Sequence, residues 1–289
     1  MQHFYFTLPV ELISIMPINT TCINLIIRSK YADKTCKKGD CLEISAGRPK
    51  SERAFRVRTK AWFFAVSQAS GMNAEELEIY FAPHEKQELY RMGSRPRLWE
   101  KYRDMHVNPK SKDHGNGDAS IVQRVEAVFP GTDYWITLPF WRVLSSHPME
   151  MRELKNTVYW ELADPIRKLV VMEGPRETRT FWRSPIEHRI LYKNLAAIGD
   201  IDAATAVLAL IKEAETTQNQ QQHQDGLRCW SKFTRKLNAH PILSLVLDDI
   251  NNIIVDKFTR ISYVGIDGKY YSPTKENVIA ALHGEKRTL

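Results

Sequence analysis

The chain has 289 residues, with 41 Lys and Arg against 34 Asp and Glu, for a formal net charge of +7. That length supports one large buried core or two ordinary ones, and 43% hydrophobic with 26% charged residues excludes a disordered polymer and a membrane protein. Thirteen Gly and fourteen Pro exclude collagen-like and proline-rich architectures, while the basic balance admits an anionic partner such as nucleic acid.

Residues 1–52 are read as an N-terminal extension, partly strand-like or poorly ordered. The segment is apolar, but its first basic residue, Arg28, follows the apolar stretch, whereas a secretory signal carries its positive charge first. Pro9, Glu11 and Pro17 interrupt it, and nothing reaches the roughly 18 apolar residues that a membrane span requires. A cytoplasmic protein without a membrane partner is expected. Cys22, Cys36, Cys41 and Cys229 are too few for a disulfide scaffold, and Cys36-x4-Cys41 lacks the second ligand pair of a tetrahedral zinc site. Reduced thiols are expected, with no metal and no cofactor.

The charge is unevenly placed. Residues 28–60 hold eleven bases and four acids, residues 61–85 hold four acids and no base, and residues 86–112 hold eight bases and three acids. Two basic blocks thus flank an acidic stretch, and residues 200–289 balance at eleven bases and eleven acids. Most such runs are simply solvated faces.

The segment ERAFRVRTKAWFFAVSQASG predicts a helix from about residue 53 that stops at Gly71, a residue suited to the left-handed position after a helix. Its apolar residues recur at three- and four-residue spacing, and Arg53, Arg56 and Lys60 share another face. Asn73 is placed to cap a short helix through Phe81, with Glu75 and Glu76 in its first turn. A charged loop is expected over 83–96. In RPRLWEKYRDMHVNPKS, Pro96 opens a helix in which Leu98, Trp99 and Tyr102 are buried anchors, with Arg95, Arg97, Lys101 and Arg103 around them. After the Gly-rich DHGNGDAS, SIVQRVEAVF predicts another amphipathic helix ending at Pro130-Gly131, and TDYWITLPFWRVL a Trp-rich packing element.

A short helix, a helix ending in Leu98-Trp99-Glu100-Lys101-Tyr102-Arg103, then Pro109 and an amphipathic helix, resembles the Xre/Cro-type helix-turn-helix family. The resemblance covers residues 53–145 and implies a small all-α module whose second paired helix enters the major groove of DNA. The family pattern near that helix's end is an aromatic, Glu, a basic residue and Gly, then Pro-Ser. Here Asp104 stands at the Gly, Pro109-Lys110-Ser111 keeps the Pro with a displaced Ser, and residues 83–94 lengthen the normally tight turn. On this reading Arg95, Arg97, Lys101 and Arg103 meet phosphates and guanine edges, Lys110 and Lys112 meet backbone, and Arg53, Arg56 and Lys60 add a further basic face. The plainer alternative keeps Trp99 and Tyr102 as core anchors whose charged neighbours face water.

Beyond about 148 the pattern is again helical. Pro148 opens MEMRELKNTVYWELAD, which closes before Asp164-Pro165; Ser184-Pro185 starts a helix that stops at Gly199; and an Ala-rich helix follows from Asp200. TTQNQQQHQDG, residues 216–226, reads as a polar surface linker. CWSKFTRKLNAH and PILSLVLDDINNIIVDKF are amphipathic, ISYVGIDGKYYSP reads as a β-hairpin turning at Asp267-Gly268, and a short helix starts at Thr274. The hairpin fits a winged module or, preferably, a cap on the helices.

No Gly-rich phosphate loop, nucleophile elbow or HExxH motif is present. Arg-x4-His, the signature of HEPN-type helical ribonucleases, occurs as Arg142…His147, Arg183…His188 and Arg235…His240. In the second pair, His188 would serve acid–base chemistry on RNA and Arg183 would stabilise the charged transition state. Asp133 with Glu153 and Lys155 loosely matches a PD-(D/E)xK nuclease, but the helical pattern puts Glu153 and Lys155 on different faces. The loop Asp113–Asp118 fits a cation or plain exposure equally.

The sequence therefore predicts a mainly α protein. A helix-turn-helix-like N-terminal bundle spans 53–147, and a C-terminal helical domain with a small β-hairpin spans 148–289. The expected function is DNA binding by a bacterial-type transcription regulator, with duplex DNA as partner and the C-terminal half serving homodimerisation or an effector. The alternatives are a helical ribonuclease or toxin-like enzyme using Arg183 and His188, and a non-catalytic protein–protein adaptor.

Overall fold

A computed structural model describes residues 52–110, 119–145, 149–173, 181–184, 186–258, 263–264, 268–271 and 275–282. The expectations placed on residues 1–51, Lys112, the 113–118 loop and His147 lie outside the described residues. The described chain is mainly helical, as the periodicity predicts.

Helix α1 (Arg53–Ser70) buries Val57, Ala61, Trp62, Ala65 and Val66, and Gly71 at φ 70° ends it by donating to the Ser67 carbonyl. Asn73 caps α2 (Ala74–Tyr80): its Oδ1 accepts from the Glu75 and Glu76 amides at 2.9 and 3.1 Å. The Glu76 carboxylate returns to the Asn73 amide at 2.7 Å, which completes a capping box. The stretch expected as a loop over 83–96 contains a helical turn, His84–Lys86, and α3 (Gln87–Arg91), neither with a buried residue. After α4 (Leu98–Arg103), a Ser120–Gln123 capping box opens α5 (Ile121–Val128). Two short helices, α6 (Tyr134–Thr137) and α7 (Pro139–Val143), make up the Trp-rich element.

The helix expected from Pro148 is less regular than its pattern. It runs as α8 (Met151–Glu153), a π-helical turn (Leu154–Val158) and α9 (Tyr159–Glu161), and breaks at Leu162. Pro165 then lies in the first turn of a new helix, α10 (Asp164–Val170), where its missing N–H costs nothing. Strands β1 (Val171–Glu173) and β2 (Phe181–Arg183) pair antiparallel, which the sequence pattern does not signal.

Helix α11 (His188–Ile198) ends at Gly199, φ 72°, and Asp200 caps α12 (Ile201–Thr217) through a 2.7 Å bond to the Ala203 amide. Every residue of α12 from Ala203 to Lys212 is buried, so this is the central helix. It packs against α7, α10, α11 and α13 (Gln220–Leu237). A 3₁₀ turn (Leu243–Val246) leads into α14 (Leu247–Phe258). Strands β3 (Tyr263–Val264) and β4 (Tyr270–Tyr271) pair antiparallel, and α15 (Lys275–Leu282) packs on α13 and α14.

The 216–226 linker expectation needs correcting. Only Gln218 and Asn219 separate α12 from α13, and Gln222, His223 and Gly226 are buried in the first turns of α13. The polar run is helical because Asn219 caps it, accepting from the Gln222 amide at 3.0 Å, and because the Gln222 side chain donates to the Leu210 carbonyl. Nor is the chain divided near position 147. Residues from 50 onward pack as one unit, with α1 against α4, α6, α7 and α14.

Candidate nucleic-acid interface

Helix α4 is only six residues long, so its position depends on packing rather than on its own stability. Trp99 stacks on Trp62 of α1 at 5.5 Å between centroids, Phe81 stacks on the Trp99 ring at 5.5 Å, and Tyr102 meets both indoles edge-on. The buried Glu78 carboxylate accepts from the Trp99 amide at 3.0 Å and so satisfies an otherwise orphaned donor at the start of α4. At the other end, His106 N–H donates to the Lys101 carbonyl and Met105 N–H to the Tyr102 carbonyl, the paired bonds of a Schellman exit. The left-handed residue of that exit is Met105, φ 61°, not Asp104, which the sequence reading placed there. Asp104 instead accepts from Arg103 at 2.9 Å, and that guanidinium holds its carboxyl below the usual range.

The basic residues around α4 fall into two sets. Arg95 is 13% exposed and bridges Glu75 at 3.0 Å and Glu100 at 2.8 Å, so its charge is used inside the fold. Arg97, the left-handed residue that precedes α4 (φ 53°), and Lys101, Arg103 and Lys110 are exposed. On α1, Arg53 pairs with Asp256 at 3.3 Å, Lys60 pairs with Asp249 at 2.8 Å, and Arg56 is half-buried.

Beside α4 lies a groove of about 600 Å³, between that helix, the segment after its exit and the start of α5. Among the described residues, Leu98, Val107, Ala119 and Ile121 form its apolar wall, Tyr102 and Asn108 add polar atoms, and Lys110 and Arg124 are the charged ones. The Asn108 carboxamide oxygen accepts from Thr59 Oγ1 at 2.9 Å, tying the exit segment to α1. Burial and the Glu78 charge push the Tyr102 hydroxyl up to about 12, against the pull of the Arg124 cation, so it stays protonated. Arg124 was not singled out by the sequence. It sits within an amphipathic helix, where it donates to the Phe81 carbonyl at 3.4 Å, and only the fold brings it to the groove that Lys110 also lines.

For the ribonuclease alternative, Arg183 lies on β2 in register with Val171, and His188 is the half-buried first residue of α11. His240 of the third pair has a capping role: its Nδ1 accepts from the Ile242 and Leu243 amides, and burial lowers its pKa.

The sequence also gave no sign of an interior ionic cluster formed by residues far apart in the chain. Lys212 Nζ lies 3.0 Å from Glu215, and His223 Nε2 lies 3.8 Å from the other Glu215 oxygen. Lys257 lies 3.4 Å from Glu52 and donates to the Leu144 carbonyl; burial lowers its pKa to about 8. Among the described residues no three His, Cys, Asp or Glu side chains are grouped to hold a metal ion, and no helix is long and apolar enough to cross a membrane. No protein-family model, curated protein or solved structure matches the chain.

Proposed function

We propose that the protein binds DNA through α4 and the segments on either side of it, as a helix-turn-helix-like regulator whose C-terminal helices serve dimerisation or an effector. The observation that carries the reading is the mounting of α4. Its aromatic face is fixed against α1, while Arg97, Lys101, Arg103 and Lys110, on and beside it, are exposed. Cations on a rigid support meet phosphates with little loss of conformational freedom, and a short helix offers few side chains to base edges. Arg95 belongs to the support, since its guanidinium already joins two carboxylates.

Fluorescence anisotropy with duplex DNA across a salt series tests this. Arg97→Ala with Lys101→Ala is expected to weaken binding at least about ten-fold and to lower the salt slope by about two, one per lost phosphate contact. Arg95→Ala is expected to leave that slope alone and to lower stability instead. Unchanged affinity and slope in the double variant would remove α4 from the interface.

A further inference from the structure

We infer that α3 and the groove beside it form a self-association surface, in which a second copy of this chain seats its own α3 in the groove and receives this one in return. The inference stands apart from the DNA-binding reading and leaves the C-terminal helices to the effector.

Helix α3 is five residues long with none buried, and helices so short do not hold on their own in water. It packs on α2, and between the two lies a groove of about 520 Å³ lined, among the described residues, by Met72, Glu76, Ile79, Tyr80, Gln87 and Arg91. Gln87 and Arg91 are four residues apart and share the side of α3 that lines the groove. Leu89 and Met92 are three apart and share another side, the Met92 amide still donating to the Glu88 carbonyl. Leu89 is 51% exposed, and Met92, at 83%, is the most exposed large hydrophobic side chain among the described residues. The surface therefore carries an apolar ridge beside a groove with apolar lining.

Shape and charge both select a second copy as the occupant. A ridge beside a groove is self-complementary, because a two-fold axis running between them sets each against the other in both protomers. The partner's Met92 then meets Met72, Ile79 and Tyr80, and its unbranched thioether adapts to such a lining. The groove carries one charge of each sign, so a small anion would meet Glu76 and a small cation Arg91. Residues 83–94 hold two acids, Glu85 and Glu88, and two bases, Lys86 and Arg91, so like copies do not repel. Glu76 accepts from the Asn73 amide and Arg91 pairs with Glu88 in its own helix. That second pair is exposed and weak, and in the dimer it is exchanged for one between chains, each Arg91 facing the partner's Glu88.

Sedimentation equilibrium of the full chain without DNA, across a concentration series, tests this. Wild type is expected to dimerise. Met92→Glu, at an exposed position, is expected to weaken the dimer at least about ten-fold with an unchanged circular dichroism spectrum. Glu88→Arg and Arg91→Glu are each expected to stay monomeric where wild type pairs, because each sets like charges against like in its own dimer. An equal mixture of the two is expected to form a heterodimer, in which the added base of one faces the added acid of the other. A pair confined to one chain cannot produce that rescue. Wild type that is monomeric throughout, a dimer that survives Met92→Glu, or a mixture that stays monomeric overturns the inference.

Discussion

Gly226 lies in α13 where that helix crosses α12 and α11. A Cβ built on it would sit 2.4 Å from Ile211 Cγ1 and 2.8 Å from the Tyr192 hydroxyl, and both residues are buried. Alanine there would gain up to about 1 kcal/mol of helix propensity, but the overlap must be relieved inside a packed core at about 1–3 kcal/mol. Packing wins, so Gly226→Ala is expected to lower the urea midpoint at unchanged m-value, and a higher midpoint would show that the crossing has slack. The reason for this glycine lies wholly in the fold; in the sequence it stands at the end of a Gln-rich run and reads as loop punctuation. Trp99 and Tyr102 are the opposite case. Their three-residue spacing identifies them as anchors without any structure, and both are buried against Trp62. What spacing leaves open is which of their charged neighbours turns inward, and Arg95 does so because Glu75 and Glu100 flank it.

Helix ends were legible at some ordinary capping residues but not at all: Asn219 caps α13 inside a run that read as a linker, and α11 starts at His188 after Glu187 rather than at Ser184-Pro185. Asn73 and Asp200 cap helices, and Gly71 and Gly199 end them, as their positions in the sequence suggest. The end of α12 escaped because the same left-handed position is held by Gln218, φ 55°, with Asn219 N–H bonded to the Ala214 carbonyl and Gln218 N–H to that of Glu215. A non-glycine residue in this conformation is strained by about 1–2 kcal/mol. Gln218 is exposed, so replacing it sacrifices no packing. Gln218→Gly is therefore expected to stabilise the protein by about 1 kcal/mol after the extra chain entropy of glycine is subtracted, measured by chemical denaturation. A loss of stability would mean that the glutamine side chain makes a contribution beyond its backbone role. The π-helical turn at Leu154–Val158 was not legible either, since its residues carry an ordinary helical pattern and Pro165 gives no hint of a register change eleven residues earlier.

At the scale of the whole molecule, α1 is joined to α14 by pairs that span about two-thirds of the chain. Arg53–Asp256 and Lys60–Asp249 are open enough to be worth at most about 1 kcal/mol each, whereas Lys257 and Glu52 are 13% and 14% exposed in their side chains. Local patterns could not reveal this seam, which is why Arg53 and Lys60 looked like an open basic face and the chain looked divisible near position 147. Lys257 makes the seam measurable. Burial takes its pKa from 10.5 to about 8, opposed by Glu52 and Glu215 and reinforced by the Lys212 charge. Between those two values the unfolded chain binds the proton more tightly than the native one, so stability rises with pH. The gain from this lysine between pH 8 and 9 is about 1 kcal/mol. Above pH 9 the Cys229 thiol, raised by burial to about 12, acts in the opposite direction, because the unfolded chain ionises first. Lys257→Met keeps the length of the side chain and removes the titration. The stability of wild type relative to Lys257→Met should therefore rise by about 1 kcal/mol from pH 8 to 9 in urea titrations. A flat difference would mean that the ammonium is as well solvated in the native state as in the unfolded one, and that the seam is open to water.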